Sequence, residues 1–224
     1  MNAKQRAATA ALEYVRSDTV IGLGTGSTAD CFLVALADAL KSGRVRNVVG
    51  VPTSEQTKRR CAELGIALTT LAQAAPIDVT IDGADEIAPN LDLIKGLGGA
   101  LLREKIVAQN SKQLIIIADT GKRVEKLGTK SPLPVEVAMF EHETNAKFLR
   151  ALGCELALRK NPGGATFVTD NGNYIYDCRF AGGIDDSAGL SRALNDRAGI
   201  VDSGLFLGLA TVALIADDAG VAKL

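Results

Sequence analysis

The sequence predicts an α/β protein, with a parallel sheet covered by helices on both faces and a smaller α+β domain after it. Three observations predict this. Short apolar runs at 19–23, 48–51, 77–81 and 114–118 alternate with stretches of helical periodicity. Glycine-rich or charged loops follow three of those runs, and such loops at the carboxyl ends of strands are where α/β folds hold ligands. From Gly128 the texture changes to short strand candidates, two helices and the hairpin signal Asp170-Asn-Gly-Asn173.

The first element is an amphipathic helix at 3–16, with Ala7, Ala11 and Val15 four residues apart. Lys4 lies in its first turn, where the helix dipole gives a cation no support, so it reads as a solvated surface lysine. Thr19–Leu23 is a buried strand running into Gly24-Thr-Gly-Ser-Thr-Ala29, and a helix carrying Phe32, Leu33, Leu36 and Leu40 ends near Gly43. Strand, glycine-rich turn and helix together offer free N–H groups to an anion. The turn lacks the Lys of a P-loop, and no acidic residue closes the next strand to take a ribose hydroxyl, so a single phosphate suits it best. A tight turn that merely packs the helix on the strand also accounts for its glycines.

After the strand at 48–51, Thr53-Ser-Glu-Gln56 reads as a capping box for a helix ending at Gly65. Ile66–Leu68 and Ile77–Ile81 are strands. A helix at 100–110 follows, with Leu102 and Ile106 on one face and Glu104 about 200° round from them. Then come the strand 114–118 and the polar loop Asp119-Thr-Gly-Lys122. In the second domain Ser131–Pro134 is rigid and extended. A helix spans 144–152, strands are expected at 155–158, 166–169 and 174–178, a helix at 187–198 and a strand at 200–203. Leu205–Ala216 reads as one strand returning to the first sheet.

Composition narrows the function. The 224 residues are 47% hydrophobic and 23% charged with net charge −1, which is ordinary globular chemistry with no field to draw nucleic acid or an anionic membrane. Six Phe, three Tyr and no Trp leave no base-stacking platform. The start is too polar for a signal peptide and no apolar run approaches a membrane span, so a cytoplasmic protein is expected. Cys31, Cys61, Cys154 and Cys178 form no CxxC pair and read as reduced core residues. The single histidine, His142, excludes a multi-His zinc site and reads as a surface residue at a helix start.

The chemistry concentrates at 82–105, DGADEIAPNLDLIKGLGGALLREK. Asp82, Asp85 and Glu86 follow a buried strand, then Lys95, a glycine cluster, Glu104 and Lys105. Three close carboxylates can hold Mg²⁺, but Lys95 and Lys105 compete for them, and the set equally suits acid–base work. Carboxylates, lysines and a phosphate cradle are what aldose–ketose isomerisation of a sugar phosphate needs. One base carries a proton between carbons, a second group shuttles protons between oxygens, and a cation stabilises the enediolate oxygen.

Together GLGTGSTA, DGADEI, KGLGGALLREK, ADTGK, PLPVEV and VTDNGN resemble ribose-5-phosphate isomerase of the A type, along essentially the whole chain. The resemblance implies interconversion of D-ribose 5-phosphate and D-ribulose 5-phosphate in the pentose phosphate pathway, with no metal and no organic cofactor. It implies a Rossmann-like catalytic domain at 1–128 plus 204–224 and an inserted α+β, ferredoxin-like domain at 129–203, in a homodimer or homotetramer. It makes Glu104 the base between C2 and C1, gives Asp82 and Asp85 ring opening and oxygen-to-oxygen proton movement, and puts Lys95 on the enediolate oxygen. Thr25, Gly26, Ser27 and Thr28 form the substrate cradle, with Ser27 and Thr28 on the phosphate. Gly83, Ala84, Gly96, Leu97, Gly98, Lys122 and Lys4 bind substrate. Many members have glycine where this chain has Leu97, which closes conformations only glycine reaches. Two rivals share parts of the fold: a non-catalytic sugar-phosphate sensor and a coenzyme A transferase-like enzyme.

Overall fold

The computed structural model describes residues 1–224. Helix α1 (Ala3–Ala11) opens with a capping box between Asn2 and Gln5, and a 3-10 turn at Leu12–Tyr14 follows it. Next come β1 (Val20–Leu23), α2 (Ser27–Lys41), β2 (Val49–Pro52) and α3 (Glu55–Leu64). The cap of α3 is Ser54, whose hydroxyl accepts from Thr57 N at 2.9 Å. The expected cap, Thr53, instead donates its hydroxyl to the Leu23 carbonyl under the glycine-rich loop. The helix ends at Gly65 in the left-handed conformation, as expected.

A short α4 (Leu71–Ala74) leads to β3 (Val79–Asp82), β4 (Glu86–Ile87), β5 (Leu93–Ile94), α5 (Leu101–Gln109) and β6 (Leu114–Asp119). Then follow β7 (Leu133–Val137), α6 (His142–Ala151), β8 (Glu155–Leu158), β9 (Tyr174–Arg179), α7 (Ser187–Asn195) and β10 (Ile200–Ser203). The chain closes with β11 (Leu205–Phe206), β12 (Val212–Ala216) and β13 (Val221–Lys223).

Two compact units result. The first comprises Met1–Ala84, Arg103–Lys122 and Gly208–Leu224. Its sheet runs β13-β12-β6-β3-β1-β2, parallel throughout except for β13. Alternate residues (Ile21, Leu23, Val79, Ile81, Ile115, Ile117) share a core with Ala7 and Ala11 of α1 and Phe32 and Leu36 of α2. Burying each of the large ones contributes roughly 1.5–3 kcal/mol. Val107 of α5 packs on the opposite face with Val51 and Ile77. This is the doubly wound architecture expected, and its chain order reverses between β1 and β3.

The second unit comprises Asp85–Leu102 and Arg123–Leu207. Strands and helices follow the ferredoxin-like order βαββαβ, with sheet order β10-β7-β9-β8. A separate three-stranded ribbon, β11-β5-β4, belongs to this unit. That moves the boundaries from 129–203: residues 85–102, 123–128 and 204–207 join the second unit. The cause is pairing of Leu205 with Ile94, and a shared core of Ala88, Ile94, Leu127 and Leu205 with Val135 and Leu149.

Other expectations change in this unit. Strand β7 contains Pro134, which the sequence marks only as extended. In an antiparallel ladder a residue's N–H and C=O point to the same neighbour, and Pro134 O accepts from Gly204 N just beyond β10, so the missing N–H falls where that pairing ends. Residues 166–169 form no strand beyond a single bridge between Lys160 and Thr166. The expected strand 205–216 breaks at Gly208, with φ +63°, into β11 and β12. His142 does start a helix, but its side chain is only 16% exposed and Nδ1 lies 2.7 Å from the Tyr176 hydroxyl. All four cysteines are free thiols, and Cys31 is only half-buried. Cys154 Sγ donates to Leu149 O at 3.2 Å and Cys178 Sγ to Tyr176 O. Each thiol feels the other: the Cys178 thiol holds Cys154 below the usual range, and Cys154, with burial, pushes Cys178 up.

Candidate active site

In the first unit the loops after β1 and β3 meet at the topological switch point, where open α/β sheets bind ligands. Asp82 ends β3 and is 1% exposed. Its Oδ1 accepts from Thr25 N at 3.1 Å and Gly83 N at 2.7 Å, which ties the two loops together. A Cβ on residue 24 would lie 2.1 Å from that oxygen and 2.6 Å from the Asp82 Cα, so only glycine fits there.

Below the loop, the Thr25 hydroxyl lies 2.8, 2.9 and 3.1 Å from the hydroxyls of Thr53, Ser54 and Thr57. Thr57 Oγ1 in turn donates to the Gly24 carbonyl. Thr25 therefore anchors the cradle through its side chain. Sequence reasoning missed Thr53 and Thr57; the run of hydroxyls at 53–57 is the signal that carries them.

Above the loop, Gly26 caps α2 with φ +107°, and exposed Ser27 and half-buried Thr28 begin the helix. Lys4 Nζ donates to Ser27 Oγ at 2.8 Å, so this lysine is no detached surface charge. A lysine beside the N-terminus of a four-turn helix is an anion-binding arrangement. A groove of about 420 Å³ opens here, lined by Gly24, Gly26, Ser27, Gln56 and Arg59 among others. Lys122 ends a 3-10 turn after β6 and is half-buried.

Glu104 stands in the first turn of α5 and is 4% exposed. Leu101, Val107 and Ala108 are buried with it, at helical spacing of three and four, whereas Ile106 is 42% exposed. The expected Leu102–Ile106 face is therefore not the buried one. Next to Glu104, Arg103 Nη1 holds Glu55 Oε1 at 2.9 Å and keeps that carboxyl below the usual range.

In the second unit, Asp85 N donates to Ile94 O, and Asp85 Oδ2 accepts from Leu97 N at 2.9 Å. Lys95 is 2% exposed, with Nζ 5.5 Å from the Phe206 ring centroid, a cation–π distance. Its N–H donates to Gly204 O. Gly96 has φ +100°, and a Cβ there would lie 2.7 Å from Leu101 Cβ, so glycine is obligatory. Exposed Leu97 and Gly98 complete the turn, closed by Gly99 N on Gly96 O at 3.0 Å.

Glu86, the third carboxylate of the acidic motif, is fully buried. It accepts from the backbone N–H groups of Gly128, Lys130 and Ser131 at 2.5–2.6 Å. It is a structural anchor for that loop. No grouping of three or more His, Cys, Asp or Glu side chains is arranged to hold a metal ion, and no helix is long and apolar enough to cross a membrane.

Residues 49–220 match the family model of ribose 5-phosphate isomerase A (phosphoriboisomerase A). The ribose-5-phosphate isomerase A of Roseiflexus castenholzii is 53% identical over 221 residues, covering 99% of this chain and 94% of its own. A solved ribose 5-phosphate isomerase from Plasmodium falciparum superposes with a TM-score of 0.96 at 43% identity, over 99% of this chain and 97% of its own. A D-ribose-5-phosphate isomerase solved in complex with phospho-erythronic acid also gives 0.96, at 39% identity, over 100% and 99% of the two chains.

Proposed function

The chain belongs to the ribose 5-phosphate isomerase A family, which interconverts D-ribose 5-phosphate and D-ribulose 5-phosphate, and on that premise we propose how its residues do so through an enediolate. The observation that carries the reading is the burial of three ionisable side chains: Asp82 at 1%, Lys95 at 2% and Glu104 at 4% exposure. A buried ionisable group is costly and characteristic of an active site. Glu86 and Glu136 are buried too, Glu86 on backbone N–H groups of the 128–131 loop and Glu136 on the Thr169, Asn171 and Asn173 side chains. Asp82, Lys95 and Glu104, by contrast, stand in the motifs DGAD, KGLGG and LLREK.

Ser27, Thr28, the N-terminus of α2 and Lys4 hold the substrate phosphate, and Lys122 binds the substrate. Thr25, Gly26, Gly83, Ala84, Gly96, Leu97 and Gly98 shape the surrounding surface. Asp82 and Asp85 assist ring opening and pass the hydroxyl proton between O1 and O2. Glu104 takes the proton from C2 of the open aldose and returns it to C1. The electron pair released from the C2–H bond forms the enediolate, and Lys95 stabilises its oxygen charge. The proton and the electron pair that leave the C2–H bond both return to the same sugar, so the balance needs no external oxidant or reductant.

The same reading makes the protein a cytoplasmic homodimer or homotetramer acting on a free sugar phosphate, with no nucleic-acid or membrane partner. Four free thiols suit a reducing compartment, and Phe140, 85% exposed beside Met139 at 38%, is an apolar surface suited to a subunit contact.

The test is ketose formation from ribose 5-phosphate by the purified protein in excess EDTA. Rapid ketose appearance supports the metal-free isomerase. Activity that returns only with Mg²⁺ would turn the carboxylates into a metal site. Tight binding without turnover under either condition would make the protein a sugar-phosphate sensor.

A further inference from the structure

The turn at 96–99 is gripped from outside the motif. Arg159, one residue past β8, donates through Nη1 to Gly96 O at 2.9 Å and to Leu97 O at 3.1 Å. Its other edge is held by Asp177 of β9, with Nε on Oδ2 at 3.0 Å and Nη2 on Oδ1 at 2.5 Å. The two side chains are only 11% and 22% exposed. The guanidinium carbon also lies 5.8 Å from the Phe167 ring centroid, and the Phe167 ring occupies the space where a side chain at Gly99 would project. Every one of these groups belongs to the second unit.

Gly96 C=O and Leu97 N–H are the two poles of one peptide plane, and in a trans peptide they point in opposite directions. One pole meets Arg159 and the other meets Asp85 Oδ2. A cationic donor on the carbonyl polarises the peptide and strengthens the N–H as a donor. We infer that Arg159, braced by Asp177, is a positioning residue of the isomerisation, fixing the 96–97 peptide that in turn orients the Asp85 carboxylate. The inference rests on the proposed role of Asp85 in moving protons between substrate oxygens.

Arginine suits this place because its rigid fork grips a carboxylate in bidentate fashion with one edge and reaches two carbonyls with the Nη1 amino group. Lysine, a point charge on a flexible stem, cannot do both. A loosened peptide lets Asp85 drift. The phosphate contacts are made by other residues, so the loss falls on the chemical step.

The experiment compares Arg159→Lys, Asp177→Asn and Glu104→Gln with the parent in steady-state turnover of ribose 5-phosphate, alongside their thermal midpoints. Arg159→Lys is expected to lower kcat about 10- to 100-fold, the scale that a displacement near 1 Å costs. Its KM stays within about threefold and its midpoint within a few degrees, and Asp177→Asn shifts kcat the same way by less. Folded Arg159→Lys and Asp177→Asn proteins with kcat within about twofold of the parent would overturn the inference. So would activity losses in both that merely track a falling midpoint, since that is a brace for the fold and nothing more. Should Arg159→Lys fail to fold, Asp177→Asn decides by the same criteria. An inactive Glu104→Gln beside normal Arg159 and Asp177 variants would sink this inference alone, whereas a fully active Glu104→Gln would sink the site reading beneath it.

Discussion

The backbone N–H of Leu97 donates to the Asp85 carboxylate at 2.9 Å, so the residue that interrupts the glycine cluster contributes through its main chain. Leu97 is not among the non-glycine residues with positive φ, and its side chain is 40% exposed. The backbone at this position therefore does not need glycine. Leu97→Gly should leave kcat within about threefold and lower stability by up to about 1 kcal/mol, through the added freedom of the unfolded chain. Steady-state kinetics and urea unfolding read both. A large loss of kcat would mean that the leucine side chain itself takes part.

Glu104→Gln preserves the volume of the buried side chain and removes the carboxylate proposed as the base. Turnover should fall about 10²- to 10⁴-fold while substrate affinity persists. Single-turnover kinetics with a binding titration would check this, and a near-normal rate would move the base elsewhere.

Lys4 reaches the Ser27 hydroxyl at the start of α2. Lys4→Met should raise the KM for ribose 5-phosphate about tenfold and change kcat by less than about threefold, the signature of a contact shared by ground and transition states. An unchanged KM would remove Lys4 from the phosphate site.

Burial pushes the Cys61 thiol from 9.0 to about 11. The folded state thus keeps a proton that the unfolded chain releases. The associated stability is fully present below pH 9 and is lost as pH rises from about 9 to 11, amounting to about 2–3 kcal/mol. Urea midpoints of the parent and Cys61→Ala, taken from pH 8 to 11, isolate the effect. The parent should decline more steeply, and parallel curves would contradict the assignment.

Much of the first unit was legible because its strands are short apolar runs and its ligand loops follow them directly. Gly24, Asp82 and Ser27 could be singled out on those grounds. The buried side of α5 was misread because the charge of Glu104 stands on it, breaking the apolar pattern that Leu101, Val107 and Ala108 otherwise make. Strand β7 was hidden by Pro134, whose cost disappears only once Gly204 is known to sit opposite. Arg159 and Asp177 were invisible for a different reason. Arg159 meets its carbonyl partners 62 and 63 residues away, and no local periodicity encodes a contact of that span. The hydroxyl cluster under Thr25 likewise draws on residues 28 to 32 positions away.

Glu86 sits one residue from Asp85 yet spends its carboxylate on the loop at 128–131. One carboxylate of the acidic motif is therefore given wholly to chain architecture. A relative that had lost catalysis but kept its shape would still need a residue like Glu86. Retention of the third carboxylate thus reports on folding and cannot by itself tell an enzyme from its silent cousin.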